Sequence, residues 1–567
     1  MERAEIALAG LLHDIGKFYQ RAAGRGRAPG FESFGPDDYG RNGAHATWSA
    51  AFVTEYLPEQ IEALASTVLY HHRPFDRASK VVAIADRLAS GERADQTDEQ
   101  PHTLLSIFCQ LGEDDGKRPA PAYLPLAPLE LDEGVIFPAP NADGSQRAYH
   151  ALWAEFTQAV KAVDATSDPQ GVVEALYHLF MRYAWSIPSA YYRSTPDISL
   201  FDHSRVTAAL AACLTEQDDA TLDHLLERKD PGGPVAYLVE GDISGVQRFI
   251  YTITAKGAAK GLRGRSLYLQ LLTEAIARWI LREMGLPITN LVYVGGGHFY
   301  MLVPPSEQAR LSSVQRDLDE LMLRHHDGAL YVALGSVPLH AQDFQAATFS
   351  AKWREVGQAV GEAKRRRFAE VPGIFDPRGH GGNEETECQV CHAERPDVDW
   401  ANADEPDAPP FRKCGLCNSL EDLGWALGQA AYLLMIEVAP TSRTTAGTWR
   451  DALRALGLEI ALFDDRGARI PHEPHPSQGR AVLFGLQNYP PDDIRRKVSQ
   501  ELGTSVTGGI RFTANVTPRK NAAGDVATFE DLQNASQGLK RLGVLRMDVD
   551  DLGPLFGFGF KRANGQS

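Results

Sequence analysis

The sequence predicts a multidomain α+β protein. Three observations carry that expectation. The chain has 567 residues, too many for one hydrophobic core. Its first ninety residues place apolar side chains at helical spacing, whereas Val235 to Leu302 reads strand, helix, strand, glycine turn, strand. Two Cys-x-x-Cys pairs then mark a small insertion built around a metal. The 51 Gly and 34 Pro imply many loops between these parts. A net charge of −17 excludes a protein that coats nucleic acid by neutralising phosphates. No run of eighteen apolar residues exists, so no membrane partner is expected. The N-terminus lacks a signal-peptide layout, which makes a cytoplasmic location the default.

Taken in order, Ile6 to Tyr19 reads as a helix carrying His13-Asp14-Ile-Gly-Lys17. An adjacent His-Asp pair alone is weak, since neighbouring helical residues point about 100° apart. Three further features strengthen it. His45 begins the next helical segment, His71-His72 closes a third at Ile61 to Tyr70, and Asp86 lies in a fourth from Ser79. Arg73-Pro74 stops the third. Imidazoles and carboxylates arriving from separate helices suit Mn, Fe, Ni, Zn and related ions. A cation so held acidifies water and polarises a phosphoryl oxygen. Lys17 is placed to meet the phosphate. The bland reading is scattered surface histidines, against which stands the order His-Asp, His, His-His, Asp.

That order resembles the HD superfamily of metal-dependent phosphohydrolases and nucleases. With Ala85-Asp86-Arg-Leu-Ala-Ser-Gly-Glu-Arg93 it looks like the HD domain of the large subunit of type III CRISPR interference complexes. The resemblance implies a single-strand DNase with His13, Asp14, Lys17 and Asp86 catalytic. It also implies a divalent cation (Mn, Ni, Mg or similar) on His13, Asp14 and Asp86, with His45, His71 and His72 as further ligands.

Gln110 to Gly232 carries no independent chemistry. Pro119 to Pro140 is proline-rich, and Tyr149 to Val163, Gly171 to Trp185 and Ser204 to Glu227 read as helices. Trp185-Ser-Ile-Pro-Ser-Ala resembles the same family's helical connection.

The central unit has the element order of the palm of nucleotidyl cyclases and polymerases. Asp242 is expected to end a strand, and Gly295-Gly296-Gly297-His298 stands where an active cyclase has Gly-Gly-Asp-Asp or Gly-Gly-Asp-Glu. His298 cannot replace paired carboxylates around Mg²⁺, so this palm is expected to be silent. Its turn either needs positive φ or lets a nucleotide approach the backbone. Lys260-Gly-Leu-Arg263-Gly264-Arg265-Ser266 is expected ahead of a helix N-terminus (Ser266 to Met284), a place that favours an anion. These motifs look like the first, degenerate palm of the Csm-type (subtype III-A) subunit. Asp242, Ser266 and Gly295 to His298 are thereby nucleotide-binding candidates, with ATP at the palm. Lys256, Lys260, Arg263, Arg265 and the run Lys364 to Arg367 are either nucleic-acid contacts or solvated helix faces.

After a helix ending near Phe368 come Cys388-Gln-Val-Cys391 and Cys414-Gly-Leu-Cys417, twenty-two residues apart. Two such knuckles make a closed four-sulfur site for structural zinc; His392 is an unneeded ligand. Asp397 to Pro410 reads as an acidic loop, and Leu420 to Leu434 as an apolar helix. Strands are expected at Met435 to Ala439, Glu459 to Phe463, Arg480 to Leu486 and Thr507 to Ala514. Cys109 and Cys213 lie alone in apolar patterns and read as core.

Arg541 to Phe556 repeats the palm's opening, since Asp550-x-x-Gly553 echoes Asp242-x-x-Gly245. It resembles the start of the family's second palm, which converts ATP to cyclic oligoadenylates. Asp548 and Asp550 match its first metal-binding positions. No Gly-Gly-Asp-Asp follows, so the chain is expected to be a fragment, half of a split subunit or a cyclase-deficient variant.

The expected organisation is therefore an all-α HD nuclease domain at 1–110 and a helical connection at 111–230. A ferredoxin-like palm follows at 231–370, then a zinc-ribbon linker at 371–535 and the start of a second palm at 536–567. The resemblance implies assembly with a guide RNA and smaller Csm subunits, activation by target RNA, and single-stranded DNA as substrate. A second chain carrying the rest of the second palm is a further partner. The alternatives are a stand-alone HD phosphohydrolase on nucleotides and a non-catalytic assembly scaffold.

Overall fold

The computed structural model describes residues 1–24, 26–40, 43–90, 103–111, 119–163, 168–190, 195–229, 232–254, 258–371, 374, 382–401, 411–441, 447–470, 479–514, 518, 520, 527–541, 543 and 545. Asp548, Asp550 and Lys256 lie outside the described residues.

The N-terminal part is helical. Helix α1 (Arg3–Leu12) and α2 (Gly16–Ala23) are separate, because the chain turns through His13-Asp14-Ile15. The single helix expected from Ile6 to Tyr19 is thus two. A serine of the next long helix holds the break: Ser49 Oγ donates to His13 O (2.7 Å) and accepts from Gly16 N (2.9 Å). After the short α3 (Pro36–Tyr39) come α4 (Ala44–Tyr56), α5 (Leu64–Leu69) and α6 (Arg77–Ala89). Asp76 caps α6 by accepting from Ser79 N.

A single turn, α7 (Glu133–Ile136), precedes α8 (Gln146–Val160) and α9 (Pro169–Ala184). The helix expected over Ser204 to Glu227 is two, α10 (Leu200–Leu214) and α11 (Asp219–Leu226). Asp218 caps the second and thereby ends the first reading. Helix α10 packs against α1 and α6. Its approach to α1 is close enough that a Cβ on Gly10 would sit 2.8 Å from Ala208 Cα. Leu8, Leu11, Phe18, Phe52, Trp153, Phe156 and Phe180 fill one core shared by these helices.

The palm follows: β1 (Ala236–Ser244), α12 (Val246–Tyr251), α13 (Ala258–Glu283), β2 (Leu291–Gly295), β3 (His298–Val303), α14 (Leu311–His326) and β4 (Tyr331–Leu339). Its sheet has the order β2-β3-β1-β4, and β1 is antiparallel to both neighbours. This is the ferredoxin-like arrangement. Val239, Ile243, Phe299 and Met301 pack with residues of α13 and α14 in one core. Leu238, Leu302 and Val337 pack with α10 and with Val356 of α15 (Ala346–Arg365) in another. Asp242 lies within β1, which runs on to Ser244, and pairs in register with His298.

Helix α13 is longer than expected: Lys260 to Ser266 are inside it. The two glycines there lower helix propensity, yet Gly264 is needed for packing. A Cβ on it would fall 1.7 Å from Leu420 O of the crossing helix α16 (Gly415–Leu427). Helix α16 stops at Leu427, so Leu433 and Leu434, expected in a helix, belong to a strand.

The two-stranded β5 (Asp399–Trp400) and β6 (Arg412–Lys413) precede α16. A second sheet, order β10-β9-β7-β8, is made by β7 (Tyr432–Glu437), β8 (Leu458–Phe463), β9 (Arg480–Gly485) and β10 (Val506–Ile510). Helices α17 (Trp449–Ala455) and α18 (Asp492–Leu502) connect its strands, and α19 (Phe529–Ala535) follows. Among the described residues no helix is long and apolar enough to cross a membrane.

Candidate functional site

Five helices deliver the N-terminal cluster. His13 and Asp14 come from the turn after α1, His45 from the first turn of α4, and His71 and His72 from the end of α5. Asp86 comes from the last turns of α6. The fifth is α10, which brings His203, a residue the sequence reading did not single out. Ligand atoms of His13, Asp14, Asp86 and His203 all lie within 4.8 Å of one another, as do those of His45, His71 and His72.

Asp14 sits between the two groups. Its Oδ2 is 3.4 Å from Nε2 of both His13 and His203, while its Oδ1 is 3.0 Å from His45 Nε2. The Lys17 ammonium is paired with the same carboxylate. Asp86 Oδ1 is 3.6 Å from His13 Nε2 and 3.1 Å from His203 Nε2. The rings of His13 and His71 meet edge to face at 5.1 Å. His45 and His72 face each other through Nε2 atoms 3.0 Å apart, a contact that needs a shared proton or a cation.

The donor set fits a divalent cation. His13 Nδ1 lies 2.7 Å from Gly10 O, and His71 Nδ1 lies 2.6 Å from Val68 O. Each ring thus donates to a backbone carbonyl and turns the Nε2 lone pair inward, the usual outer support of a metal-bound histidine. Both Nε2 atoms are buried and lack a hydrogen bond. Burial depresses the basicity of His45 to about 4, and of His71 and His72 to about 3, so these imidazoles are neutral donors at pH 7. Burial opposes charge on His13 as well, but Asp14 and Asp86 outweigh it and lift His13 to about 9, so a cation at Nε2 would displace a proton there. Burial would raise both carboxyls. Lys17, His13 and His45 instead hold Asp14 well below its ordinary value, and His13 and His203 do the same for Asp86.

The second cluster is the four cysteines, with all Sγ atoms within 4.8 Å. Cys391 Sγ and Cys414 Sγ are 3.8 Å apart. A tetrahedron with metal–sulfur bonds of about 2.3 Å has edges of about 3.8 Å. Arg265 Nη2 donates to Cys417 Sγ at 3.1 Å. His392 is turned away and contacts Glu387 at 2.8 Å.

In the palm, His298 Nδ1 is 3.3 Å from Asp242 Oδ2 and 3.7 Å from Glu240 Oε1. The Lys364 ammonium is paired with Asp242. Hydrogen bonding to Glu240, and then the Asp242 charge, raise the basicity of His298 against the effect of burial. Gly296 and Gly297 have φ of 62° and 86°, so the turn itself requires glycine there. Gly295 ends β2 beside them. The anion seat expected in front of Ser266 is not formed, because Ser266 lies inside α13. Arg265 is buried, with Nη1 donating to Phe249 O at 3.1 Å, and Lys260 pairs with Glu421 at 3.0 Å.

Comparisons with known proteins agree with this architecture. The model of the HD domain matches residues 1–91, and that of the Csm1 subunit domain B matches 235–377. A Methanocaldococcus jannaschii protein named CRISPR system single-strand-specific deoxyribonuclease Cas10/Csm1 (subtype III-A) is 31% identical, over 98% of this chain and 74% of its own length. A protein of the same name from Mycobacterium tuberculosis is 29% identical over 99% and 70%. Among solved structures, the Csm1-Csm4 subcomplex of the type III-A CRISPR-Csm interference complex superposes with a TM-score of 0.67 at 23% identity, covering 98% of this chain and 67% of that one. The Csm1-Csm4 cassette in complex with cA4 gives 0.65 at 23% identity, over 98% and 66%. A helical cluster of histidines and aspartates, a ferredoxin-like palm and a four-cysteine knuckle pair thus occur together in a chain matched almost end to end, and the chain belongs to the Cas10/Csm1 family of subtype III-A.

Proposed function

We propose that the chain acts as a cation-dependent single-strand deoxyribonuclease within a type III-A CRISPR effector complex. The observation that carries this reading is the convergence of His13, Asp14 and Asp86 in one buried cluster, with His13 Nε2 lacking any hydrogen bond. These three residues would hold the cation, Mn²⁺, Ni²⁺ or Mg²⁺, and His45, His71 and His72 would form the neighbouring position. A cation bound there supplies Lewis acidity toward a phosphodiester and acidifies water. Asp14 orients both groups of imidazoles through its two oxygens. Lys17 places positive charge at the edge of the cluster, where it favours approach of a phosphate.

The remaining parts have supporting roles. The cysteine cluster holds structural zinc and stabilises the fold around α16. The palm at Asp242 and Gly295 to His298 contributes binding, with ATP as the candidate ligand, because Lys364 and His298 stand where a catalytic palm needs metal ions. The partners are a guide RNA, target RNA and smaller Csm subunits, and the setting is the cytoplasm.

The test uses the whole chain with Mn²⁺ and a labelled single-stranded DNA oligonucleotide. Wild type is expected to cut it and to leave mononucleotides unchanged. His13→Ala with Asp14→Ala should lower the rate at least about 100-fold, beyond the loss typical of outer-shell changes. Turnover of mononucleotides instead would favour a stand-alone phosphohydrolase. DNase activity unchanged in the double variant would leave the scaffold reading.

A further inference from the structure

We propose that the cavity enclosed by α9, the last turns of α13 and the second sheet binds a small organic oxyanion, a phosphate ester or a carboxylate. The charged head lies between Arg282 and Arg480, and the apolar body lies on Leu281, Leu286 and Ile288. The inference is independent of the cation centre and of the palm turn.

The cavity has a volume of about 230 Å³. A void of about 150 Å³ already accepts benzene, so a bare oxyanion leaves room here for an organic body. The walls are set by the fold. Arg480 opens β9 and Glu437 closes β7, opposite each other in register. Gln170 lies in the first turn of α9, and Leu281 and Arg282 lie in the last turn of α13. Leu286 and Ile288 follow that helix and complete an apolar wall with Leu281. Helix α13 has 26 residues and is about 39 Å long. Near its start, Arg265 donates to Phe249 O, just past the end of β1 that carries Asp242. The cavity therefore lies at the opposite end of α13 from Asp242 and the glycine turn paired with it.

Three guanidiniums and two carboxylates line the cavity. Arg278 is fully engaged, since Glu174, Glu274 and Glu437 surround it. The other two arginines have capacity to spare. Arg282 donates to neutral carbonyls, Gly457 O at 2.8 Å and Leu456 O, and among the described residues no carboxylate pairs with it. Burial lowers its basicity; Glu437 opposes that, and Arg278 and Arg480 add to it. A buried cation crowded by like charge is stabilised by a neighbouring anion. Arg480 Nη2 holds Glu437 at 3.4 Å and Asp168 at 3.9 Å, both longer than the ~2.7–2.9 Å of a charge-assisted hydrogen bond. Its Nε is buried and makes no hydrogen bond. A planar guanidinium fork with an unfilled donor matches the paired oxygens of a carboxylate or phosphate.

The experiment titrates the full chain with phenyl phosphate, benzoate and inorganic phosphate, read by calorimetry and by thermal midpoint. Phenyl phosphate or benzoate should bind saturably and raise the midpoint. Its affinity should exceed that of inorganic phosphate at least about tenfold, because only the aromatic probes cover the apolar wall. The tighter of the two names the head group as phosphate ester or carboxylate. Arg480→Gln should weaken that binding at least about tenfold by removing a charged donor. Gln170→Trp fills the cavity without touching a charge and should abolish binding; it carries the test alone if Arg480→Gln does not fold, judged by circular dichroism. Absence of saturable binding by both aromatic probes overturns the inference. Wild-type affinity in either folded variant puts the anion elsewhere and overturns it too. Inorganic phosphate binding as tightly as the aromatic probes does the same, since the apolar wall then plays no part.

Discussion

Arg278 offers the sharpest test of what joins the parts of this chain. It lies on α13, is 4% exposed, and reaches carboxylates from three places. Its Nη1 is 2.6 Å from Glu174 of α9 and 3.4 Å from Glu437 of β7, and its Nε is 3.0 Å from Glu274 one turn back. Glu274 is also paired with Arg511, beyond β10. Replacing Arg278 by Met keeps the apolar stem but strands buried carboxylates, a change that destabilises by about 3–5 kcal/mol. For a unit of 150–250 residues this corresponds to a fall in thermal midpoint of roughly 6–20 °C.

The pH dependence carries a definite sign. Burial would raise Glu174 and Glu274; Arg278 and His178 instead depress Glu174, and Arg511 and Arg278 depress Glu274. Depressed carboxyls contribute stability above their unfolded pKa, about 4.3, which is lost as pH falls toward the native values. The gap between wild type and Arg278→Met should therefore be full at pH 7 and shrink below about pH 4. Glu174→Gln in the Arg278→Met background should recover part of the loss by removing one stranded charge. The assay is thermal unfolding of the full chain followed by circular dichroism between pH 3.5 and 8. A midpoint shift under about 2 °C at pH 7, or no recovery in the double variant, would refute the view that this ion group fastens helices, palm and second sheet together.

Two further predictions follow from buried groups elsewhere. Elemental analysis of the folded chain should find one tightly held zinc, lost in Cys388→Ser with a lower thermal midpoint; an unchanged metal content in that variant would exclude the cysteine cluster as its site. Burial lifts the Asp319 carboxyl to about 6, against a hydrogen bond from Gln315. The native state therefore favours the protonated form, and stability should fall as pH rises from about 4 to 6, by about 1–3 kcal/mol after allowance for solvent screening. Asp319→Asn, which can still accept from Gln315 Nε2, should remove that pH dependence and raise the midpoint at pH 7.5.

Much of the chemistry was legible because it is local. The knuckles declare themselves through two-residue spacing, and the palm through the change from strand to helix period around a glycine turn. The order His13-Asp14, His45, His71-His72, Asp86 was readable for the same reason, since each group lies within or at the end of its own short apolar segment. The errors also have local causes. Gly261 and Gly264 made the start of α13 look like a loop, because propensity registers the lost Cβ and not the helix that needs its absence. Asp218 split the last connecting helix, and the turn through His13-Asp14 split the first.

By itself, the sequence determined the ferredoxin-like palm, the four-sulfur cluster and most of the histidine and aspartate donors. Tertiary structure alone decided that Asp14 joins two donor groups, that Lys364 reaches Asp242, and that His203 enters the cluster from α10. These depend on close packing between segments more than a hundred residues apart, such as Gly10 on Ala208. Hydrophobic periodicity says which face of a helix is buried but not which other face it meets, so a lone histidine on a buried face reads as core until the fold brings carboxylates to it.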